Sequence, residues 1–192
     1  YTGSFYVYAD QGNAKSVESV DLSNTYLAWA KENLIQNGFT DKNKYIFTRQ
    51  DCIQFLQEKA LAQKAILNEE KNSVSNQRMT ASQNKDLISK AKTYDLIILD
   101  PPTFSNSKNT TNILDINKQW YQLVKDCLNI LNPNGILYFS TNSERLKFDI
   151  TKLPQITISG KKISCNDITS QTIPNDYTGS KPHRCWKFTV TD

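Results

Sequence analysis

Tyr94-Asp95-Leu96-Ile97-Ile98-Leu99-Asp100-Pro101-Pro102-Thr103-Phe104 is the stretch from which the fold can be read. From Tyr94 to Leu99 it is the most apolar run in the chain, with Ile97 and Ile98 at its centre, and this is the composition of a strand buried on both faces inside a parallel sheet. Asp100-Pro101-Pro102 stops that strand abruptly, because consecutive prolines remove two backbone donors and force an extended, rigid corner. Such a corner presents fixed carbonyl oxygens and a carboxylate to a planar, amino-bearing group, and Phe104 follows closely enough to stack on its ring.

Outward from this corner, short segments rich in β-branched residues alternate with helix-like ones, the pattern of a parallel sheet covered by helices. Residues 16–20 (SVESV) read as a strand that ends at Asp21. Ser23 is placed to cap a helix whose apolar residues Tyr26, Leu27, Ala30, Leu34 and Ile35 recur at helical spacing, and Asn37-Gly38 ends it. Residues 45–48 (YIFT) form the next strand; Asp51 follows, and Ile53, Phe55 and Leu56 open another helix. Residues 64–92 are dominated by Asn, Ser, Gln, Lys and Glu and bury little, so they read as a surface insertion.

Downstream, residues 117–131 carry Trp120, Leu123, Val124, Cys127, Leu128 and Leu131 on a helical stripe. Asn132-Pro133-Asn134-Gly135 breaks it and turns the chain into a strand over residues 136–140 (ILYFS). Residues 162–168 and 185–190 are two further strands with no convincing helix between them, which predicts antiparallel neighbours and a sheet ending in a hairpin.

Composition limits the classes open to this chain. Its 192 residues suit a single domain, residues 1–192, with a real core, and 38% hydrophobic against 22% charged residues is ordinary for a globular protein. No apolar run approaches the ~20 residues of a membrane span. The start, Tyr1-Thr2-Gly3-Ser4-Phe5-Tyr6, has neither a secretory signal's pattern nor an initiator Met, and it reads as the interior of a longer protein. Cysteines at 52, 127, 165 and 185 form no CxxC pair and no zinc-ligand spacing with His183, so no metal site is expected and a reducing, cytoplasmic setting is. A net charge of +4 is compatible with a polyanionic partner without establishing one. His183, beside Pro182 at a strand entry, reads as structural or as a neighbour of phosphate, and Ser105 to Lys108 as a polar loop suited to phosphate contacts.

Three acids stand at the carboxyl ends of successive strands, Asp21, Asp51 and Asp100, and open α/β sheets bind ligands at those ends. A carboxylate after one strand can take the ribose hydroxyls of an adenosyl cofactor, and one after the next can accept from an adenine amine. An acid in the position of Asp51 can equally be a helix cap.

The segments Tyr1-Thr2-Gly3-Ser4, Ser19-Val20-Asp21-Leu22-Ser23, Gln50-Asp51-Cys52 and, above all, Leu99-Asp100-Pro101-Pro102-Thr103-Phe104-Ser105-Asn106-Ser107-Lys108 resemble the C-terminal methyltransferase half of the bifunctional 23S ribosomal RNA guanine methyltransferases of the RlmKL family. The likeness continues through Tyr138-Phe139-Ser140-Thr141-Asn142 and His183-Arg184-Cys185-Trp186, and covers nearly everything outside the polar insertion. It implies a class I, Rossmann-like α/β fold, S-adenosylmethionine as methyl donor, and a guanine of 23S ribosomal RNA methylated at ring nitrogen 7. It also implies an N-terminal half that binds RNA and carries a second methyltransferase.

Residue by residue, the resemblance places Tyr1, Thr2, Gly3 and Ser4 at the methionine part of the cofactor, Asp21 with Leu22 and Ser23 at its ribose, and Asp51 and the Cys52 backbone at its adenine. Asp100, Pro101, Pro102 and Phe104 would line the junction of methyl group and base, with Asp100 also in reach of the cofactor amine. The family's first strand, which runs directly into Tyr-Thr-Gly, is not in this sequence, so the sheet is expected to lack a central strand.

Methylation of the exocyclic guanine amine stays open, as does a nucleotide- or RNA-binding module without activity. Cytosine carbon-5 chemistry is excluded, since residues 139–143 (FSTNS) lack the Cys nucleophile it needs. A dinucleotide oxidoreductase wants G-x-G-x-x-G after its first strand, and the chain has none.

Overall fold

A computed structural model describes residues 3–41, 43–71, 87, 91–105, 114–153, 162–177, 179 and 181–191. Most of the polar insertion expected at 64–92 lies outside them, as do Asn106, Ser107 and Lys108. The chain divides into two compact units, residues 1–55 and 56–192.

In the first unit a helix the sequence had not announced, α1 (Ser4–Gln11), precedes strand β1 (Val17–Asp21), helix α2 (Asn24–Gln36) and strand β2 (Tyr45–Arg49). β1 and β2 pair in parallel, in register from Val17 opposite Tyr45 to Asp21 opposite Arg49, and α2 is the crossover that a parallel pair requires. α2 begins where expected, with the Tyr26 N–H donating to the Ser23 hydroxyl at 3.3 Å. It ends at Asn37, and Gly38 takes the left-handed conformation, φ 81°. Its buried residues are Leu27, Ala30 and Leu34 alone. Tyr26 and Ile35, expected on the same stripe, flank that arc and are exposed.

α1 is anchored through Tyr6, whose ring stacks on Phe47 at 5.2 Å and whose hydroxyl donates to the Ile46 carbonyl at 3.2 Å. Burial pushes the Tyr6 phenol up to about 12, so it stays a donor. At the other end of α1, the Asp10 carboxylate takes hydrogen bonds from Lys44 and from the Tyr45 hydroxyl at the start of β2.

Helix α3 (Cys52–Lys71) leads into the second unit. That unit continues through β3 (Tyr94–Leu99), a short antiparallel pair β4 (Phe104–Ser105) and β5 (Leu114–Asp115), helix α4 (Ile116–Asn129), β6 (Leu131–Thr141), β7 (Lys162–Asp167), the single turn α5 (Thr169–Thr172) and β8 (Arg184–Thr191). The sheet order is β3-β6-β8-β7, with β3 parallel to β6 and the other two pairs antiparallel. The expected C-terminal hairpin is therefore present, and α5 occupies a connection in which no helix had been expected. Thr172 Oγ1 and His183 Nε2 lie 2.8 Å apart across that connection.

Alternation along the strands sends Leu99, Leu137, Phe139, Trp186 and Phe188 to one face, all buried. α4 covers this face with Trp120, Leu123, Val124, Cys127 and Leu128, also buried. Phe148 completes the cluster, stacked on Trp186 at 4.2 Å and tilted against Trp120 at 4.7 Å.

Two expectations need correction here. β3 is not buried on both faces: Leu96 and Ile98 are 49% and 41% exposed, because α4 covers the opposite face, the one on which Leu99 is buried. Asn132 to Gly135 do not precede β6 but lie within it, as an irregularity between the Tyr94–Leu131 and Leu96–Ile136 pairs. Asn134 takes φ 62° there, and the Asn132 side-chain amide donates to Asp95 at 2.7 Å.

Candidate active site

The first unit gathers its acids at the carboxyl ends of two parallel strands. Asp21 is the last residue of β1; its side chain accepts the Ser23 N–H at 2.8 Å and its carbonyl accepts the Gln50 N–H at 3.3 Å, which joins the loops after β1 and β2. The Leu22 carbonyl accepts from the Arg49 guanidinium at 3.4 Å in the same junction. Asp51 caps α3, accepting the Gln54 N–H on its side chain at 3.0 Å and the Phe55 N–H on its carbonyl at 2.9 Å. The capping reading of Asp51 is thus realised, and it leaves the second carboxylate oxygen for other donors. Burial, with the negative charges of Asp51 and then Asp21, pushes the Cys52 thiol up to about 11. Both carboxylates therefore act on one neutral, inert thiol.

Gly3 precedes α1 at φ 79°, and a Cβ there would lie 2.6 Å from Ala30 of α2. Only glycine serves where two backbones approach this closely with a left-handed turn. Ser4 opens the helix; Tyr1 and Thr2 lie outside the described residues.

In the second unit Asp100 follows β3 directly, with Pro101 buried behind it and Pro102, Thr103 and Phe104 exposed. The corner is pinned further on: the Thr103 carbonyl accepts the Ile116 N–H at 3.2 Å, and Phe104 pairs with Asp115 in the β4–β5 ladder. The Asp100 carboxylate accepts a hydrogen bond from the Ser140 hydroxyl at 2.5 Å. Ser140 faces Cys185 across the β6–β8 ladder, and burial together with the charges of Asp100 and Asp167 raises the Cys185 thiol. Ser143, in the loop after β6, donates to Asn117 at the start of α4 at 2.8 Å. Among the described residues no cluster of His, Cys, Asp or Glu could hold a metal ion, and no helix is long and apolar enough to cross a membrane.

No protein-family model matches the sequence. Over 188 residues, 98% of this chain, it is 37% identical to the ribosomal RNA large subunit methyltransferase K of Neisseria meningitidis serogroup B, of which it spans 43%. Over 190 residues it is 38% identical to the K/L methyltransferase of Magnetococcus marinus, of which it spans 21%. Along 98% of its length the chain is similar to these K and K/L methyltransferases, and it spans less than half the length of either. Two solved structures superpose on nearly all of it. SMU.776, complexed with SAH, covers 99% of the chain at 20% identity and a TM-score of 0.65, with 43% of its own chain matched. The SAM-dependent methyltransferase from Agrobacterium tumefaciens covers 100% at 19% identity and a TM-score of 0.62, with 53% of its own chain matched.

The fold is that of the class I methyltransferases. In a class I sheet the ligand-binding end is the carboxyl end of the parallel strands, where Asp21, Asp51 and Asp100 stand in their respective units. Ser140 stands at the same end and was not singled out from the sequence. The signal lay in strand pairing: in a class I sheet β6 neighbours β3, so the residue closing the one lies beside the residue closing the other.

Proposed function

We propose that this chain is the catalytic domain of an S-adenosylmethionine-dependent methyltransferase whose acceptor is ring nitrogen 7 of a guanine in 23S ribosomal RNA. The observation that carries the reading is the braced Asp100-Pro101-Pro102 corner, at the end of β3 in a class I fold, in a chain homologous to large-subunit ribosomal RNA methyltransferases. The same reading includes work in the cytoplasm and an N-terminal RNA-binding and methyltransferase half. The K/L relatives support the latter, since this chain matches only 21% of one of them.

The first unit has the donor set for the cofactor. Asp21 keeps an oxygen beyond the one held by Ser23 and receives the ribose hydroxyls; Asp51 and the Cys52 backbone serve the adenine; the bare Gly3 turn, with Ser4, faces the methionine. When bound, S-adenosylmethionine supplies an electrophilic methyl carbon on a sulfonium. Guanine nitrogen 7 has an in-plane lone pair and needs no deprotonation, so the protein's work is alignment and exclusion of water. Asp100 acts as a positioning acceptor for the guanine edge or an amine, Pro101 and Pro102 hold the corner rigid, and exposed Phe104 offers a face for stacking.

The test is methylation of 23S ribosomal RNA by the full-length protein, followed by borohydride and aniline treatment and mass spectrometry of the fragments. Strand cleavage at a newly methylated guanine is expected, because the cationic ring of 7-methylguanosine opens. Intact strand at every methylated guanine would transfer the assignment to the exocyclic amine, and absence of methylation would leave a binding module.

A further inference from the structure

Five aspartates in this protein hold their side chains by one recurring device. Asp21, Asp41, Asp115, Asp149 and Asp167 each accept the backbone N–H two residues ahead, from Ser23, Asn43, Asn117, Thr151 and Thr169 respectively. Asp100 cannot use it: Pro102 occupies the position two ahead and Pro101 the one between, and neither has an N–H. Asp100 also lies just beyond the last β3–β6 ladder pair, Leu99 with Phe139. Its carboxylate thus lacks the backbone donor that those five aspartates use, although the corner around it is rigid.

Ser140 supplies the donor from the neighbouring strand. It lies on β6, between β3 and β8, and its backbone is held in the β6–β8 ladder opposite Cys185. Its hydroxyl meets Asp100 at 2.5 Å, in the range of charge-assisted O–H···O⁻ bonds. The influence of Asp100 on the thiol of Cys185, which pairs with Ser140, is a second sign that the carboxylate is turned toward this row of the sheet.

We infer that Ser140 is the positioning residue of Asp100: it replaces the backbone N–H that the two prolines remove, and so fixes which carboxylate oxygen faces the substrate. Oδ1 is committed to the serine, and Oδ2 is the oxygen presented to the guanine. The inference rests on the proposed reading of Asp100 as the acceptor at the base.

Two variants of the full-length protein test it, Ser140→Ala and Ser140→Thr, assayed for methyl transfer to 23S ribosomal RNA with saturating cofactor. Ser140→Ala should lower kcat about 10- to 100-fold, the scale of a misplaced reacting group. Its KM for RNA should stay near that of the parent, because RNA affinity is dominated by phosphate contacts. Its Tm and its affinity for S-adenosylmethionine should also stay close to the parent values. Ser140→Thr keeps the hydroxyl and should recover most of the turnover. An unchanged kcat in Ser140→Ala, an equal loss in Ser140→Thr, or a loss that tracks a fall in Tm would each overturn the inference while leaving the parent activity standing. A parent protein that transfers no methyl group would sink the reading of function, and the inference with it.

Discussion

Asp21 gives one of its oxygens to its own loop, and the energy at stake in the other can be stated. A hydrogen bond to a charged group contributes about 1.5–3 kcal/mol, so Asp21→Ala should weaken S-adenosylmethionine binding by at least ~1.5 kcal/mol, read by calorimetry. Unchanged affinity would remove Asp21 from the cofactor site. At Asp100 the two guanine nitrogens make different demands. Asp100→Asn keeps a single oxygen, which can serve Ser140 or the substrate edge but not both, so transfer to a ring nitrogen, which needs no proton acceptor, should lose about 10-fold or less, the scale of one hydrogen bond. Transfer to an exocyclic amine sheds a proton, and loss of the carboxylate should then cost roughly 10²-fold or more. Initial rates with the same RNA decide between them. At this scale the sequence showed the acids and the proline corner, since strand ends and prolines are local features. It did not show Ser140, whose role depends on which strand lies beside which.

Among the elements, α2 and α4 were legible from periodicity and caps, and β1, β2 and β3 from composition. α1 was not, because Tyr6 is its one buried residue and no apolar stripe marks it. Beyond the Tyr6 anchor, what holds the far end of α1 is polar: the hydrogen bonds from Lys44 and then Tyr45 keep the Asp10 carboxyl below its ordinary value. A depressed folded-state pKa means that the contribution is fully present above the unfolded carboxylate value of about 3.9 and is lost as pH falls through the folded one. Asp10→Asn should therefore lower stability at neutral pH, with the gap to the parent closing below about pH 4 in urea melts taken across that range. A gap independent of pH would show that the carboxylate's charge is not what ties α1 to β2.

On the scale of the molecule, a parallel sheet with helices and a C-terminal hairpin followed from the alternation of strands and helices, and the class I character from the resemblance, whereas burial did not follow from hydropathy. Leu96 and Ile98 belong to the most apolar strand yet face outward, on the side of β3 opposite the one that α4 covers. Leu96→Thr and Ile98→Thr should each cost about 1 kcal/mol or less, against ~3–5 kcal/mol for Phe139→Ala on the covered face. Denaturant midpoints would check this, and equal costs would mean that β3 is covered on both sides in solution. The position of β8, inside the sheet with β7 outside it, bears on the order of assembly. β7 is translated first, yet its partner among the described strands is β8, a connection of sixteen residues later. On the ribosome the parallel β3–β6 pair and α4 have emerged before either, and can dock while β7 still lacks its neighbour. The nascent unit therefore grows from the proline corner outward, and its outer edge closes only when the second arm of the hairpin has left the exit tunnel.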